Sequence, residues 1–588
     1  MAQSVSDFLI DRLAAWGVAR IFGYPGDGIN GVIGALNRAG GRIAFIQSRH
    51  EEAAAFMACG HAKFTGEVGV CLATSGPGAI HLLTGLYDAK ADHQPVVAIV
   101  GQKQRAALGG DFQQEIDLVA LFKDVAHEYV QMVMTAPQLR HVIDRAFRTA
   151  IDQRRATCII LPSDVQGLAM KQPPHEHGTM HSGVGYARPS IVPKPDELAR
   201  AADVLNAGAR VAMLIGAGAQ DASAEVLEVA DLLGAGIAKA LLGKPVIADT
   251  LPFVTGGIGF LGTRASYEMM RDCDTLLMVG SGFPYAEFLP EEGSARGVQI
   301  DVDGRMLSLR YPMEVNLVGD SAATLRALLP LLRRKTDRSW RDRIERNVAE
   351  WWATLEKRAL QDAEPVNPQR VFWELSARLP DNALLACDTG TAVHWYSRDL
   401  KLRTGMRAAH SGGLASMGSA IPYAIAAKFA YPDRPALAFV GDGAMQMSGL
   451  AELITVAKYW TCWKDPRFVV VVLNNRDLGM VTWEQRVLQG DPKFPASQDL
   501  PDFSYAGYAR LLGFTGVRID EPSQIVPALD EAMTSARPAV IEIISDPDIP
   551  PLPPHVSAKQ ARDYLFAIAR GDPDALDIVR KSVRQMFA

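Results

Sequence analysis

The sequence predicts an α/β protein of three doubly wound parallel-sheet domains closed by a C-terminal arm. Three observations carry that prediction. Short apolar strands alternate with amphipathic helical segments along the chain, the signature of parallel sheets. The 588 residues exceed what one core holds, since domains usually run to about 100–200 residues. Two breaks in composition, one proline-bearing and one charged, divide the chain into units of similar size.

The first unit, residues 1–185, has apolar strands at 68–73, 96–100 and 158–161. The polar stretch from Lys171 to Gly178, continued to Pro193-Lys194-Pro195, has no hydrophobic period and reads as a linker. The middle unit, 190–335, opens with the strand 211–215 and closes with a helix at 321–329, before the charged run Arg333-Arg334-Lys335-Thr336-Asp337. The third, 360–547, contains strands at 436–440, 468–473 and 540–544. The remainder, 548–588, begins Ile549-Pro550-Pro551-Leu552-Pro553-Pro554-His555, which must lie extended because proline fixes φ and lacks the amide donor. Helical spacing returns at 563–570 and 575–587, with Leu576, Val579, Val583 and Phe587 on one stripe. That stripe suits either docking on its own subunit or a membrane interface.

A net charge of −6, with Lys and Arg scattered among acids, argues against nucleic acid as partner and leaves a small anionic substrate open. The six cysteines, Cys59, Cys71, Cys158, Cys273, Cys387 and Cys462, form no CxxC pair, which fits a reducing cytoplasm better than a zinc site or disulfide framework. The N-terminus has no basic start and apolar core, so no export signal is expected. Apolar runs such as 468–473 fall short of the roughly 20 residues that span a bilayer. Any membrane contact is therefore expected to be peripheral, at the inner face of the cell membrane.

Chemistry first appears in the third unit. Gly441-Asp442-Gly443 follows one strand and Asn474-Asn475 the next, and ends of parallel strands are where such sheets bind ligands. Glycine lets the backbone approach a phosphate, and the amides of Gly443 and Ala444 at a helix start suit anionic oxygens. Asp442 and Asn475 offer hard oxygens of the kind Mg2+ takes beside a diphosphate. Gly-Asp-Gly alone commonly makes a simple turn; the paired asparagines favour the metal.

These residues resemble the cofactor motif of the thiamine-diphosphate enzymes, in the group of pyruvate oxidases, quinone-dependent pyruvate dehydrogenases, acetolactate synthases and decarboxylases. The resemblance implies that Asp442, the Asn475 side chain and the Asp477 carbonyl hold Mg2+. The spacing is longer than usual, with Tyr459 to Pro466 as the inserted loop. Arg49-His50-Glu51-Glu52 before an Ala-rich helix resembles the segment whose acid activates the cofactor, here Glu51, although a pair of first-turn acids also suits a helix dipole. Thr74-Ser75-Gly76-Pro77-Gly78 looks like the turn beside the pyrimidine. In Ser411-Gly412-Gly413-Leu414-Ala415-Ser416-Met417-Gly418, Ala415 and Ser416 flank Met417, which resembles the side chain that bends the cofactor. With acid and diphosphate on different domains, the resemblance implies a site shared by two chains, so a homodimer is the minimum and a homotetramer is expected.

The resemblance extends along essentially the whole chain and leaves the reaction open. Gly280, Ser281, Gly282 and Phe283 at one middle-domain strand end, and Arg305 to Leu309 after another, look like the FAD contacts of the quinone-reducing enzymes, although other members keep this fold without flavin. Glu484 falls where those enzymes carry an active-site glutamate, and the tail resembles their membrane-responsive terminus. Met480, Ser411-Gly412-Gly413 and Gly101-Gln102 are similar instead to the synthases. In Asp111-Phe112-Gln113-Gln114-Glu115, Gln113 occupies the place of a usual phenylalanine, so the pocket is expected to admit a larger or more polar 2-oxo acid than pyruvate. The leading expectation is oxidative decarboxylation of a 2-oxo acid with FAD. Acetolactate synthesis or simple decarboxylation is the alternative, and a cofactor-free regulatory subunit sits poorly with Glu51, Asp442 and Asn475.

Overall fold

In the computed structural model, which describes residues 3–587, the strands form three separate six-stranded parallel sheets. The first takes its strands in the order Ala44–Gln47, Arg20–Gly23, Gly69–Ala73, Val96–Gln102, Ala156–Pro162, Val130–Met132. The third repeats that order with Arg407–His410, Leu384–Cys387, Ala436–Gly441, Phe468–Asn474, Ala539–Ile544, Thr515–Ile519. The middle sheet runs Val315–Val318, Arg296–Asp301, Thr275–Val279, Val211–Ile215, Gly236–Lys239, Val254–Gly257. Helices cover both faces, and the central strands are buried throughout, which is why they read as continuous apolar runs instead of alternating ones.

Each sheet grows first to one side and then to the other, and the crevice at that reversal is where α/β sheets take ligands. In the first sheet the reversal lies between Arg20–Gly23 and Gly69–Ala73, so the Thr74–Gly78 turn opens on it. In the middle sheet it lies between Val211–Ile215 and Thr275–Val279, ahead of Gly280. In the third it lies between Leu384–Cys387 and Ala436–Gly441, ahead of Asp442.

The first and third sheets share one core. The Glu51–Thr65 helix lies against Ala420–Ala430, and both are rich in alanine because the backbones approach closely. A Cβ on Gly60 would stand 2.7 Å from the Tyr423 ring. The inserted loop leaves both strand ends paired, Gly441 opposite Leu473, and packs through Trp463 stacked on Phe468.

Three local expectations need correction. The helical run after the third-sheet crevice starts at Asp442 itself and contains a π turn at Met445–Gly449. The penultimate helix begins at Ala558, five residues earlier than its apolar spacing suggests, because Ser557 and Gln560 form a capping box. The last helix, Ala575–Met586, docks through Ile578, Ser582 and Gln585, which leaves the predicted stripe outward: Leu576 is 89% and Phe587 87% exposed. No helix among the described residues is long and apolar enough to cross a membrane.

Candidate functional site

Asp442 is 3% exposed. Its carboxylate accepts the Gly443 amide at 2.9 Å and the Arg476 amide at 2.6 Å. Arg476 reaches that position with φ of +57°, a left-handed conformation rare outside glycine. The Asn475 side-chain oxygen accepts from the Asp477 amide at 3.1 Å. The Asp477 carboxylate is committed elsewhere, to the Thr482 hydroxyl at 2.6 Å and Lys493 Nζ at 3.1 Å, which leaves only its carbonyl for a metal.

Burial pushes the Asp442 carboxyl up to about 7, and among the described residues no cationic side chain pairs with it. A buried carboxylate without a counter-charge is unfavourable, and a cation relieves it. One carboxylate, one amide oxygen and one carbonyl suit a hard divalent ion completed by phosphate oxygens and water. These residues therefore fit Mg2+.

The Ser411–Gly418 loop is held over this point by two groups of acids. Asp388, 1% exposed at the end of Leu384–Cys387, accepts the amides of Thr389, Gly418 and Ala420. From the first domain, Asp92 accepts the amides of Gly412 at 2.9 Å and Gly413 at 2.6 Å, and Asp88 accepts the Ser411 hydroxyl at 2.6 Å. Lys63 bonds Asp92 at 2.6 Å and the His410 carbonyl at 2.7 Å. Ala415 sits at φ of +54°. The Ser416 carbonyl receives the Thr389 hydroxyl. Half-buried Met417 comes within 3.2 Å of where a Cβ on Gly443 would stand, so the structure does bring Met417 to Gly443.

In the first domain, Glu51 begins its helix and is 8% exposed. Its Oε2 lies 3.0 Å from His81 Nδ1, and the His81 ring lies 4.4 Å from that of His50. A Cβ on Gly78 would meet Glu51 Oε1 at 3.0 Å, so the Thr74–Gly78 turn fits directly against the acid. Thr74 accepts the Gly28 amide at 3.0 Å, and Gly76, at φ of +63°, faces the Gln114 backbone. Among the described residues no hydrogen bond or ion pair joins Glu51 to Asp442, Asn475 or Asp477.

At the middle-sheet crevice the Gly218 amide donates to Gly280, which has φ of +56°, and the Gly216 amide to Val279. Ser281 and Phe283 are buried, and a Cβ on Gly282 would meet Met306. Arg305 instead pairs with its neighbour Asp303, and Leu309 is exposed. Around the third-sheet site, Met480 is half-buried and Glu484 exposed on the Gly479–Glu484 helix. The tail grips the continuation of this helix: Arg486, 1% exposed as a side chain, binds Asp572 through two 2.8 Å bonds and Asp574 through one.

Several of these groups were not singled out from the sequence. Gly216-Ala217-Gly218 directly after a strand was a readable signal. Asp388 at a strand end was a weaker one. His81, Lys63, Asp88 and Asp92 have no spacing that points to a site; only the packing assembles them.

Residues 3–121, 198–328 and 388–543 match, in turn, the families described as thiamine pyrophosphate enzyme N-terminal TPP binding domain, central domain and C-terminal TPP binding domain. The chain is 36% identical to YdaP of Bacillus subtilis over the full length of both. It is 30% identical to the pyruvate oxidase of Lactiplantibacillus plantarum, covering 92% of this chain and 88% of that one. It is 31% identical to the acetolactate synthase isozyme 3 large subunit of Escherichia coli, covering 91% and 92%.

Proposed function

The chain belongs to the thiamine pyrophosphate enzymes, and on that footing we propose that it decarboxylates pyruvate or a related 2-oxo acid and passes the electrons of the remaining fragment to FAD, as a pyruvate oxidase or pyruvate:quinone oxidoreductase does. Thiamine diphosphate, when bound, supplies the attacking carbon and the electron sink. Asp442 carries the reading: a buried carboxylate with no cationic partner among the described residues, beside the oxygens of Asn475 and Asp477, is matched by Mg2+ and a diphosphate. Met417 and the Ala415–Ser416 backbone shape the space above it. Glu51 holds or releases a proton at its carboxyl, and His81 Nδ1 is the ring nitrogen within hydrogen-bond reach of it. Because these groups lie on separate domains, the working unit is a homodimer or a pair of them in a tetramer.

The close-packed turns at Gly216–Gly218 and Gly280 stand at the reversal of the middle sheet, where α/β sheets take ligands, which supports a nucleotide in the middle domain. The outward apolar stripe of the last helix, on a tail anchored to Arg486, supports a peripheral membrane contact where a quinone is reduced. One feature favours a second reading: Met480, on the Gly479–Glu484 helix just after Asn475 and Asp477, resembles the methionine of the synthases where the quinone-reducing enzymes carry a phenylalanine, which suits acetolactate synthesis without electron transfer.

An absorbance spectrum and product analysis test both. A yellow protein that makes acetate from pyruvate when an artificial acceptor is present is the expected result. A colourless protein that takes up no FAD and makes mainly acetolactate, with or without acceptor, gives the reaction to the second reading.

A further inference from the structure

Lys103 stands at the end of Val96–Gln102, where the first-sheet crevice meets the 109–116 loop. Its side chain is 12% exposed, and its amine donates to Gln114 Oε1 at 3.0 Å. The Asp27 carboxylate lies 3.5 Å away and is 71% exposed, too loose and too hydrated to hold the ammonium firmly. An ammonium carries three donors, and among the described residues only Gln114 Oε1 accepts one of them within ordinary hydrogen-bond distance.

The loop beneath it is held rigidly. Gln102 donates to the Ile116 carbonyl at 2.8 Å, and Glu115 accepts the amides of Gly109 and Phe112. Asp111 and Gln114 have φ of +56° and +62°, a strain that persists where surrounding structure enforces it and that gathers at functional sites. The Gln114 backbone rests on Gly76, two residues from Gly78, which touches Glu51. Gln114 thus joins the amine, through its side chain, to the Thr74–Gly78 turn that fits against the acid.

From this arrangement we propose that the site takes a 2-oxo acid bearing a second carboxylate, which Lys103 binds as counter-ion and which Gln114 orients. The inference rests on the 2-oxo acid reading above and deepens it: pyruvate is the poorer substrate. A bound carboxylate completes the ammonium's hydrogen bonds in a site that a methyl group leaves unfilled.

The test compares CO2 release from pyruvate and from 2-oxoglutarate by the holoenzyme with thiamine diphosphate, Mg2+, FAD and an artificial acceptor. In the wild type the dicarboxylate is expected to have the higher kcat/KM. In Lys103→Met the dicarboxylate-to-pyruvate ratio of kcat/KM falls at least ten-fold, mainly through KM, and Lys103→Arg recovers part of it. Reading the ratio cancels any loss common to both substrates. As a check needing no variant, glutarate, which lacks the 2-oxo group, should compete with pyruvate in the wild type. A ratio unchanged in Lys103→Met, or CO2 from pyruvate alone, overturns the assignment of Lys103 while leaving the 2-oxo acid reading intact. No CO2 from any 2-oxo acid overturns that underlying reading.

Discussion

At the scale of single residues, Asp442 gives the sharpest expectation because a proton and a metal compete for it. Its carboxyl is pushed up to about 7 by burial, so metal-free protein carries the proton at pH 6 and loses it toward pH 8. The sign follows: the folded carboxyl, raised from 3.8 to about 7, holds a proton that the unfolded chain has already lost, so stability falls as pH rises between those two values and levels off above them. Mg2+ affinity should therefore rise from pH 6 to pH 8, and calorimetric titrations at the two pH values measure it. Asp442→Ala should lose metal-dependent binding of thiamine diphosphate. Retained cofactor affinity in that variant would remove the metal assignment. Glu51→Gln should keep cofactor binding while turnover falls roughly 10²–10⁴-fold, the usual worth of a positioned acid or base; near-normal turnover places the acid elsewhere. The sequence pointed to Glu51 through the resemblance of the Arg49-His50-Glu51-Glu52 segment, but its partner His81 sits on a different helix and only packing reveals it.

At the scale of elements, the Ser411–Gly418 loop has few side chains of its own and borrows its shape. Burial acts to raise the Asp92 carboxyl, but Lys63 and the amides of Gly412 and Gly413 bring it below its ordinary value. Burial wins at Asp88, whose carboxyl is raised. Asp92→Ala should free two loop amides and weaken thiamine diphosphate binding about ten-fold, one lost charge-assisted contact being worth roughly 1.5–3 kcal/mol; a binding isotherm no weaker than wild type shows that the loop holds itself. The tail is gripped by a buried pair, and breaking such a pair costs about 3–5 kcal/mol. Asp572→Ala should thus make the tail more open to proteolysis and increase binding to anionic vesicles; a tail as protected as before argues that Ile578 and the Lys581 pairs suffice. The apolar stripe was legible from helical spacing, but which face docks depended on the partners across the seam.

At the scale of the whole molecule, Glu51 and Asp442 share a chain without meeting in it, so a mixture of inactive variants becomes informative. Chains carrying Glu51→Gln and chains carrying Asp442→Ala, dissociated and reassembled together, should recover about a quarter of wild-type activity, because half the dimers contain one intact site of two. No recovery, from a mixture shown by mass to contain mixed dimers, means that the site closes within one chain. The sequence by itself predicted the three parallel sheets and pointed to Asp442 and Asn475 as candidate ligands, because strand period and strand-end chemistry are local properties written in consecutive residues, while Glu51 stood out through a family resemblance. The tertiary structure alone decided that Asp92 holds the Gly412 and Gly413 amides, that His81 faces Glu51, that Lys103 reaches Gln114 and that Arg486 secures the tail. Each of these is an electrostatic contact between elements distant in sequence, and no periodicity encodes which buried charge will find which partner once the apolar cores have set the distances.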